Sequence, residues 1–241
     1  MAQFAGIFLE ISSEVMYKIH SIFTDSYCAA GELIWRERTG IMEIAPYQFR
    51  VRQALHKYGF VPESEWERSK NLPVEPIKLK KGQHFVRIGD IPERMGFIIS
   101  GIFRVYYLTE QGDERILVFR GENRFLSAFS SFLENKPSWY GIQALEPSFL
   151  ICMHLKEYNR LITENTCWAN VSRKYVEDLF IEKEQREKEF FSLDATTRYL
   201  NFRKNHPDIE RRVSQYHVAS YLGITPVALS RIRKRLCEKT R

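Results

Sequence analysis

Residues 215–234 read QYHVASYLGITPVALSRIRK, and their spacing is typical of a helix-turn-helix. The two helices of this motif touch at a small residue, here Ala219, and are joined by a tight turn. Gly223, four residues later, can take the left-handed conformation that such a turn requires. Thr225 is placed to cap the second helix, and Pro226 occupies its first position, where a missing N–H costs little. The core shared by the two helices is predicted to consist of Val218, Leu222, Leu229 and Ile232.

The second helix has one apolar side and one basic side. At 100° per residue, Leu229 and Ile232 lie on the side that must face the core. The opposite side would enter a DNA major groove and presents Val227, Ser230, Arg231 and Lys234, with Arg233 and Arg235 flanking. Arg231 is the predicted reader of base sequence, because a guanidinium can contact O6 and N7 of guanine together. Ser230 is within reach of a base or a phosphate. The predicted phosphate contacts are Arg233, Lys234, Arg235, Thr225 and the helix start at Ser214.

The positive charge of the chain is concentrated at its C-terminal end. The whole chain has 36 Lys and Arg against 30 Asp and Glu, a net charge of +6. Residues 194–241 contain 11 Lys and Arg against 4 Asp and Glu, whereas residues 1–193 contain 25 against 26. A localised basic module of this kind is typical of nucleic-acid binding. We therefore predict a DNA-binding helix-turn-helix domain at residues 194–241, whose first helix is capped by Asp194 and ends before Pro207.

A strand-rich segment at residues 71–160 precedes this domain. Five glycines punctuate it at intervals of 7 to 12 residues, and Gln111-Gly112-Asp113 has the composition of a hairpin tip. The predicted strands are the apolar runs at residues 97–99, 103–107, 116–119, 138–145 and 149–154. Seven or eight short antiparallel strands in this length predict a jelly roll or barrel.

Residues 161–193 have the pattern of one long helix. Its apolar residues recur at three- and four-residue steps and include Trp168, Val171, Tyr175 and Leu179. A long helix with a narrow apolar stripe that leaves a small β-domain usually packs against a partner chain, so these four residues are the predicted dimerisation surface. The alternative is that the same stripe packs on its own β-domain.

Residues 1–70 are predicted to form a helical extension of unknown role. Helical periodicity is clearest at residues 13–24 and 47–58. A further helix is expected to begin at Ser64, with Glu67 as its capping-box partner. The extension is either an additional partner surface or partly a segment upstream of a true start at Met42.

Several classes of protein are excluded by what the sequence lacks. No apolar run reaches the roughly 18 residues of a membrane helix, and the first residues lack the basic region of a secretory signal. The four cysteines form no C-x-x-C pair, which favours a reducing, cytoplasmic location and argues against a cysteine-built metal site. No hydrolase, metalloprotease, P-loop or dinucleotide-binding motif is present. We therefore predict that the protein is not an enzyme and that it uses no metal or cofactor.

A protein-interaction or membrane-surface module with a basic C-terminal helix is the alternative to a DNA-binding protein. A membrane-surface helix exposes apolar residues opposite its charges. Here Leu229, Ile232 and Leu236 match the core positions of the helix-turn-helix instead, so DNA binding is the favoured interpretation.

Over residues 77–236 the sequence resembles the Crp/Fnr superfamily of bacterial transcription regulators. The resemblance rests on FIISGIFR at residues 97–104, the long helix that follows the strands, and ASYLGITP at residues 219–226. It implies an α+β fold with a cyclic-nucleotide-binding-type β-roll, a long dimerisation helix and a C-terminal winged helix-turn-helix. It also implies a homodimer on a near-palindromic operator and RNA polymerase as a partner. Val227 stands where many relatives carry a Glu, so a thymine methyl contact and a different operator are expected.

The resemblance fails at the residues that hold a cyclic nucleotide. Members that bind one carry a Gly-Glu pair and an Arg-Ser or Arg-Thr pair, whereas this sequence has Ser127-Ala128 and Ser138-Trp139. A buried phosphodiester without a cation loses its charge-assisted hydrogen bonds, so we predict that cAMP is not the effector. The corresponding pocket either takes an unknown, smaller and less charged effector or is filled by its own side chains. The residues predicted to line it are Ser127, Ser130, Ser138, Trp139 and Tyr140.

Overall fold

A computed structural model describes residues 45–238 of the chain. The helix expected at residues 13–24, Cys28 and the alternative start at Met42 lie outside the described residues. Within the described range, no helix is both long and apolar enough to cross a membrane.

Eight antiparallel strands form the centre of the described chain. They are β1 (Val74–Leu79), β2 (His84–Val86), β3 (Arg94–Ser100), β4 (Phe103–Leu108), β5 (Glu114–Arg120), β6 (Phe125–Leu126), β7 (Gly141–Ala144) and β8 (Ser148–His154). One sheet has the strand order β1-β8-β3-β6, and the other has the order β2-β7-β4-β5. The predicted jelly roll is therefore confirmed, and β5 is an edge strand of the second sheet.

The predicted hairpin tip between β4 and β5 is also confirmed. Gly112 has a φ of +83°, which side chains disfavour, and its amide donates to the carbonyl of Thr109 at 2.9 Å. The strand predicted at residues 138–145 is shorter than expected and starts at Gly141. The reason is local, because the Ser138 hydroxyl donates to the carbonyl of Tyr140 at 2.7 Å and holds these residues in a turn.

Large apolar side chains fill the space between the two sheets. Ile98, Phe103, Ile142 and Leu150 belong to this core and are fully buried. They come from β3, β4, β7 and β8, so both sheets contribute. Each such side chain contributes about 1.5–3 kcal/mol of burial free energy, which makes the roll a rigid support for the elements packed on it.

Nine helices surround the roll in the described range. They are α1 (Ala45–His56), α2 (Glu63–Ser69), α3 (Phe129–Glu134), α4 (Leu155–Glu164), α5 (Thr166–Ser192), α6 (Ala195–Asn205), α7 (Pro207–Arg212), α8 (Gln215–Leu222) and α9 (Pro226–Glu238). The prediction that Ser64 caps α2 is wrong, because the helix begins one residue earlier. The carbonyl of Pro62 accepts the amide of Trp66 at 2.9 Å, which places Ser64 inside the first turn.

The long helix α5 begins later than the sequence pattern predicts. Asn165 separates it from α4, and the Asn165 side chain accepts the amide of Cys167 at 3.0 Å. An Asn at this position favours a helix start, because its side-chain oxygen satisfies a free backbone N–H. The periodic pattern across residues 156–193 therefore belongs to two helices.

The C-terminal part of the described chain, residues 194–238, consists of α6 to α9 and contains no strand. The β-hairpin wing implied by the family resemblance is therefore not found in this range. Residues 207–212 form α7, with Pro207 in its first turn, acidic residues at its start and basic residues at its end. All three features favour a helix.

Candidate nucleic-acid interface

The turn between α8 and α9 has the geometry that the sequence predicts. Gly223 has φ and ψ of +70° and 31°, in the left-handed region. The amide of Ile224 then donates back to the carbonyl of Ala219 at 3.0 Å, which closes the end of α8. At the start of α8, the Ser214 hydroxyl accepts the amide of His217 at 3.3 Å, and at the start of α9 the Thr225 hydroxyl accepts the amide of Ala228 at 3.2 Å. These local bonds set the angle at which α9 leaves the turn.

The inner faces of α8 and α9 form the predicted core. The side chains of Val218, Ala219, Leu222, Leu229 and Ile232 are all buried there. The buried face of α9 packs against α8, so its opposite face is left to solvent.

The opposite face of α9 is exposed and basic. Val227 is 61% exposed, and the exposed polar side chains are Ser230, Arg231, Arg233, Lys234 and Arg235. Among the described residues, no hydrogen bond or ion pair engages these four cations. By contrast, Arg203 on α6 faces Glu210 at 3.8 Å, and Arg212 on α7 is bound by two carboxylates. Cations without an internal partner keep their full charge available for an external anion such as a phosphate.

The starts of α8 and α9, which precede the basic residues of α9 in the sequence, are also exposed. Ser214 and Thr225 are exposed, as is Tyr216 in the first turn of α8. Tyr216 was not predicted from the sequence, because an aromatic residue at a helix start more often packs inward. Its hydroxyl adds a further donor beside the free N–H groups of the helix start.

The helix-turn-helix is docked on the edge of the β-roll, which the sequence does not reveal. The amide of Ile116 in β5 donates to the Ser220 hydroxyl of α8 at 3.2 Å. The same hydroxyl donates to the carbonyl of Glu114 at 3.1 Å. The ring of Phe119 lies 5.4 Å from that of Tyr221, so apolar contacts continue from the sheet into the helices. The backbone edge of β5 is therefore covered, which an exposed edge strand requires.

Two arginines connect the long helix to the same joint. Arg186 in α5 donates to the carbonyl of Tyr221 at 2.6 Å and to that of Ile116 at 3.3 Å. Burial lowers the pKa of Arg186, and its guanidinium carbon lies 3.7 Å from the centre of the Tyr221 ring. Arg198 in α6 donates to the carbonyls of Leu193 and Leu222 at 2.7 and 3.1 Å. The long helix is therefore joined to the end of α8 by direct hydrogen bonds.

A third arginine supports the joint from α7. Arg212 forms ion pairs with Glu122 and Glu146, which both belong to loops of the roll. Burial by itself would raise the pKa of Glu122, but hydrogen bonds from Arg212 and from the amide of Gly101 hold that pKa below its ordinary value. The carboxylate is therefore ionised at neutral pH and binds the guanidinium.

The five residues predicted to line an effector pocket are divided between the interior and the surface of the roll. Ser138 and Tyr140 are buried, whereas Ser130 and Trp139 are exposed. The hydroxyl of Ser127 donates to the carbonyl of Arg94 at 3.2 Å. The hydroxyls of Ser127 and Ser138 are therefore engaged by the backbone of the same chain.

A buried cation is present in the roll, but it already has partners. Arg104, the only buried charged side chain among the described residues, is bound by Glu114 at 2.5 and 2.9 Å and by Gln143 at 2.8 Å. Arg104 alternates along β4 with Phe103 and Val105, which belong to the core between the sheets, so its guanidinium lies on the outer face of the second sheet.

The predicted dimerisation stripe of α5 packs on its own chain. Trp168 and Val171 are buried, and Trp168 lies 6.3 Å from the ring of Trp66 in α2. Tyr175 lies 5.2 Å from Tyr58 and 5.5 Å from Phe125. Intramolecular packing, the alternative noted above, is therefore what the structure shows for these residues, and Leu179 continues the same half-buried row. The apolar side chains that α5 leaves exposed are Val176, Phe180, Ile181, Phe190 and Phe191.

Comparison with known proteins agrees with this architecture. The family profile of the cyclic nucleotide-binding domain matches residues 76–165. No curated protein sequence matches the chain. Among solved structures, the c-di-GMP responsive global regulator CLP of Xanthomonas campestris is similar over 69% of this chain and 88% of its own, with a TM-score of 0.57 and 15% identity.

Two further solved structures have the same fold. FixK2 of Bradyrhizobium japonicum is similar over 70% of this chain and 87% of its own, with a TM-score of 0.58 and 16% identity. A transcriptional regulator from Eubacterium rectale, described as a member of the Crp/Fnr family, is similar over 74% of this chain and 85% of its own, with a TM-score of 0.58 and 16% identity. The chain therefore contains a cyclic nucleotide-binding-type β-roll and has the fold of the Crp/Fnr regulators, as the sequence resemblance implies.

Proposed function

We propose that this protein is a sequence-specific DNA-binding transcription regulator of the Crp/Fnr type. The observation that carries the proposal is the exposed face of α9, where Arg231, Arg233, Lys234 and Arg235 have no ion-pair partner among residues 45–238. In a helix-turn-helix, the second helix enters the major groove and its outer side chains contact base edges. Arg231 reads a guanine, Val227 contacts a thymine methyl, and the remaining cations hold the phosphates.

We infer that the protein acts as a homodimer. Exposed apolar side chains extend along α5 on the side that faces away from the roll, and Phe180 and Phe191 are 59% and 87% exposed. Large aromatic groups exposed at this density mark an association surface, and a second copy of α5 supplies a matching one. Two copies of α9 related by a two-fold axis would read half-sites about 34 Å apart, which accounts for a near-palindromic operator. This surface replaces the stripe at Trp168, Val171, Tyr175 and Leu179 predicted from the sequence.

We further propose that cAMP does not control the protein. Ser138 and Trp139 provide no cation where nucleotide-binding relatives carry Arg, and the Ser138 hydroxyl is bound by a backbone carbonyl. A cytoplasmic location, the contact with RNA polymerase and the absence of catalysis are parts of the same proposal.

Fluorescence anisotropy of the full chain on labelled DNA tests the proposal. The probe is the DNA upstream of the protein's own gene, compared with a scrambled duplex across a salt series. We expect Arg231→Ala to reduce the preference for the specific duplex by about 1–3 kcal/mol. Lys234→Ala is expected to weaken binding to both duplexes and to reduce the slope of log K against log salt by about 1. Arg160→Ala, which removes an exposed cation on α4, is the control and should change neither.

The outcomes separate the rival functions. Equal weakening of Arg231→Ala on both duplexes would refute its role as a reader. Absence of binding to any DNA at low salt, together with binding to anionic vesicles, would instead support the membrane-surface alternative. Addition of cAMP should leave the anisotropy curves unchanged, and a shift of the midpoint by cAMP would contradict the proposed independence.

A further inference from the structure

A cavity of about 170 Å³ lies outside the β-roll, between the outer face of the first sheet and helices α1, α2, α4 and α5. Phe97 and Met153 form part of its sheet wall, and Trp66, Leu161 and Trp168 form part of its helical wall. None of the five residues predicted for the effector pocket lines it. The cavity is therefore a different place from the one that cyclic nucleotides occupy in this type of domain.

The wall of the cavity is mostly apolar, and its polar residues besides Trp168 include Gln48, Ser69, Lys70, Tyr158 and Ser172. The indole N–H of Trp168 has no acceptor among the described residues, although the residue is only 6% exposed. Buried donors are nearly always paired in native proteins, so a donor that is unpaired among the described residues is a position where a bound molecule can place an acceptor. Two other polar groups of the wall are paired with each other, because the hydroxyls of Tyr158 and Ser172 are hydrogen-bonded together, and the Ser69 hydroxyl donates to the carbonyl of Trp66.

We propose that this cavity binds a small, uncharged and mostly apolar molecule that carries one hydrogen-bond acceptor for the Trp168 N–H. The size follows from comparison with a cavity of about 150 Å³ lined by aliphatic and aromatic side chains, which binds benzene. The molecule is therefore the size of a substituted benzene. It is uncharged because the cation at the cavity, Lys70, is already paired with Glu67. This site deepens the proposed function by naming the class of effector, and only its effect on DNA rests on that function.

The position of the cavity explains how its occupant would act on the helix-turn-helix. Trp168, Val171 and Tyr175 line it from the first half of α5. Arg186 lies about 27 Å from Trp168 along the same helix axis and contacts Tyr221 in α8 and Ile116 in β5. A molecule bound against the start of α5 shifts the position of the helix and therefore the contacts of Arg186. Such a change alters DNA binding only if the two positions of α5 differ in affinity for the molecule.

The test uses the full chain and two probes of nearly equal shape, acetophenone and ethylbenzene. Calorimetric titration should detect both, with acetophenone bound about fivefold more tightly because its carbonyl accepts the Trp168 N–H. Trp168→Phe keeps an aromatic ring and removes the donor, so it should abolish this fivefold difference. Ile162→Trp fills the cavity from α4 and should abolish binding of both probes. Ile91→Trp, an equally large change at an exposed residue outside the cavity, is the matched control.

Each outcome decides one part of the proposal. No binding of either probe at millimolar concentration, or equal binding by Ile162→Trp and Ile91→Trp, overturns the site. Circular dichroism shows whether Ile162→Trp is folded, and Trp168→Phe supplies an independent test if it is not. A fivefold preference that survives in Trp168→Phe overturns the role of the indole. If the probes bind and DNA affinity does not change, the site is confirmed and its role as an effector site is overturned. If the probes bind and the protein binds no DNA, only the proposed function is overturned.

Discussion

Replacement of Ser220 by alanine removes two of the hydrogen bonds that join the helix-turn-helix to the β-roll. The Ser220 hydroxyl accepts the amide of Ile116 at 3.2 Å and donates to the carbonyl of Glu114 at 3.1 Å. Alanine loses both bonds and leaves the Ile116 amide at the edge of β5 unpaired. Ile116 is buried, so water does not readily replace the lost partner.

The expected loss of stability follows from these distances. Both bonds are at the long end of the usual range, so each contributes about 0.5–1 kcal/mol to the free energy of unfolding. Ser220→Ala should therefore lower that free energy by about 1–2 kcal/mol and lower Tm by about 3–6 °C for a chain of this size. The variant should also expose the Ile116 amide to hydrogen exchange.

Urea denaturation and hydrogen–deuterium exchange measure the two effects. Ser230→Ala is the matched control, because Ser230 is also helical but exposed, without a hydrogen-bond partner among the described residues. It includes the same gain in helix propensity, so the difference between the two variants isolates the joint. If Ser220→Ala and Ser230→Ala unfold alike and the Ile116 amide stays protected, the joint described above does not hold the domains together.

Three further predictions concern the turn, the core and the pH dependence. Gly223→Ala should lower the free energy of unfolding in urea by about 2–3 kcal/mol, because its φ is +70° and a Cβ there would lie 2.6 Å from the ring of Phe190 in α5. Gly112 also has a positive φ but open space around it, so Gly112→Ala should lower the same free energy by only about 1 kcal/mol. Leu229→Ala should lower the free energy of unfolding by about 3 kcal/mol, whereas the exposed Val227→Ala should change it by less than about 0.5 and alter only base preference. Burial lowers the pKa of His206 below 6.5, so the unfolded chain takes up the proton first and stability falls as the pH drops through 6.5. Denaturation curves from pH 7.5 to 5.5 should show a smaller decline for His206→Gln, and an unchanged decline would contradict this role.

The helix-turn-helix illustrates what was predictable from sequence. Its turn depends on Gly223, its caps on Ser214 and Thr225, and its core on a three- and four-residue apolar spacing that α8 and α9 both obey. The turn and the caps involve residues within five positions of each other, and the core residues of the two helices lie within 15 positions, so short-range spacing is enough to predict them. The hairpin at Gly112 was predictable for the same reason.

Local rules failed where two residues competed for the same task. Ser64 has the side chain of a helix cap, but Pro62 fixes the backbone that starts α2, and its carbonyl accepts the first amides. The sequence pattern does not predict Asn165 as the cap of α5, because the helical spacing of apolar residues continues through it without interruption. The β-hairpin wing that the family resemblance implies is not found among residues 194–238, and residues 207–212 form a helix that their charges and proline favour.

The sequence alone determined the local geometry of the helix-turn-helix, the antiparallel roll and the departure from a cyclic-nucleotide cassette. Only the tertiary structure decided which surface the stripe of α5 covers, because an apolar stripe is satisfied equally by its own chain or by a partner. The same holds for Ser220, whose partner at Glu114 is 106 residues away, and for the Trp168 cavity, whose walls come from separate segments of the chain. Contacts across such separations depend on how whole elements pack, and no spacing along the sequence records that.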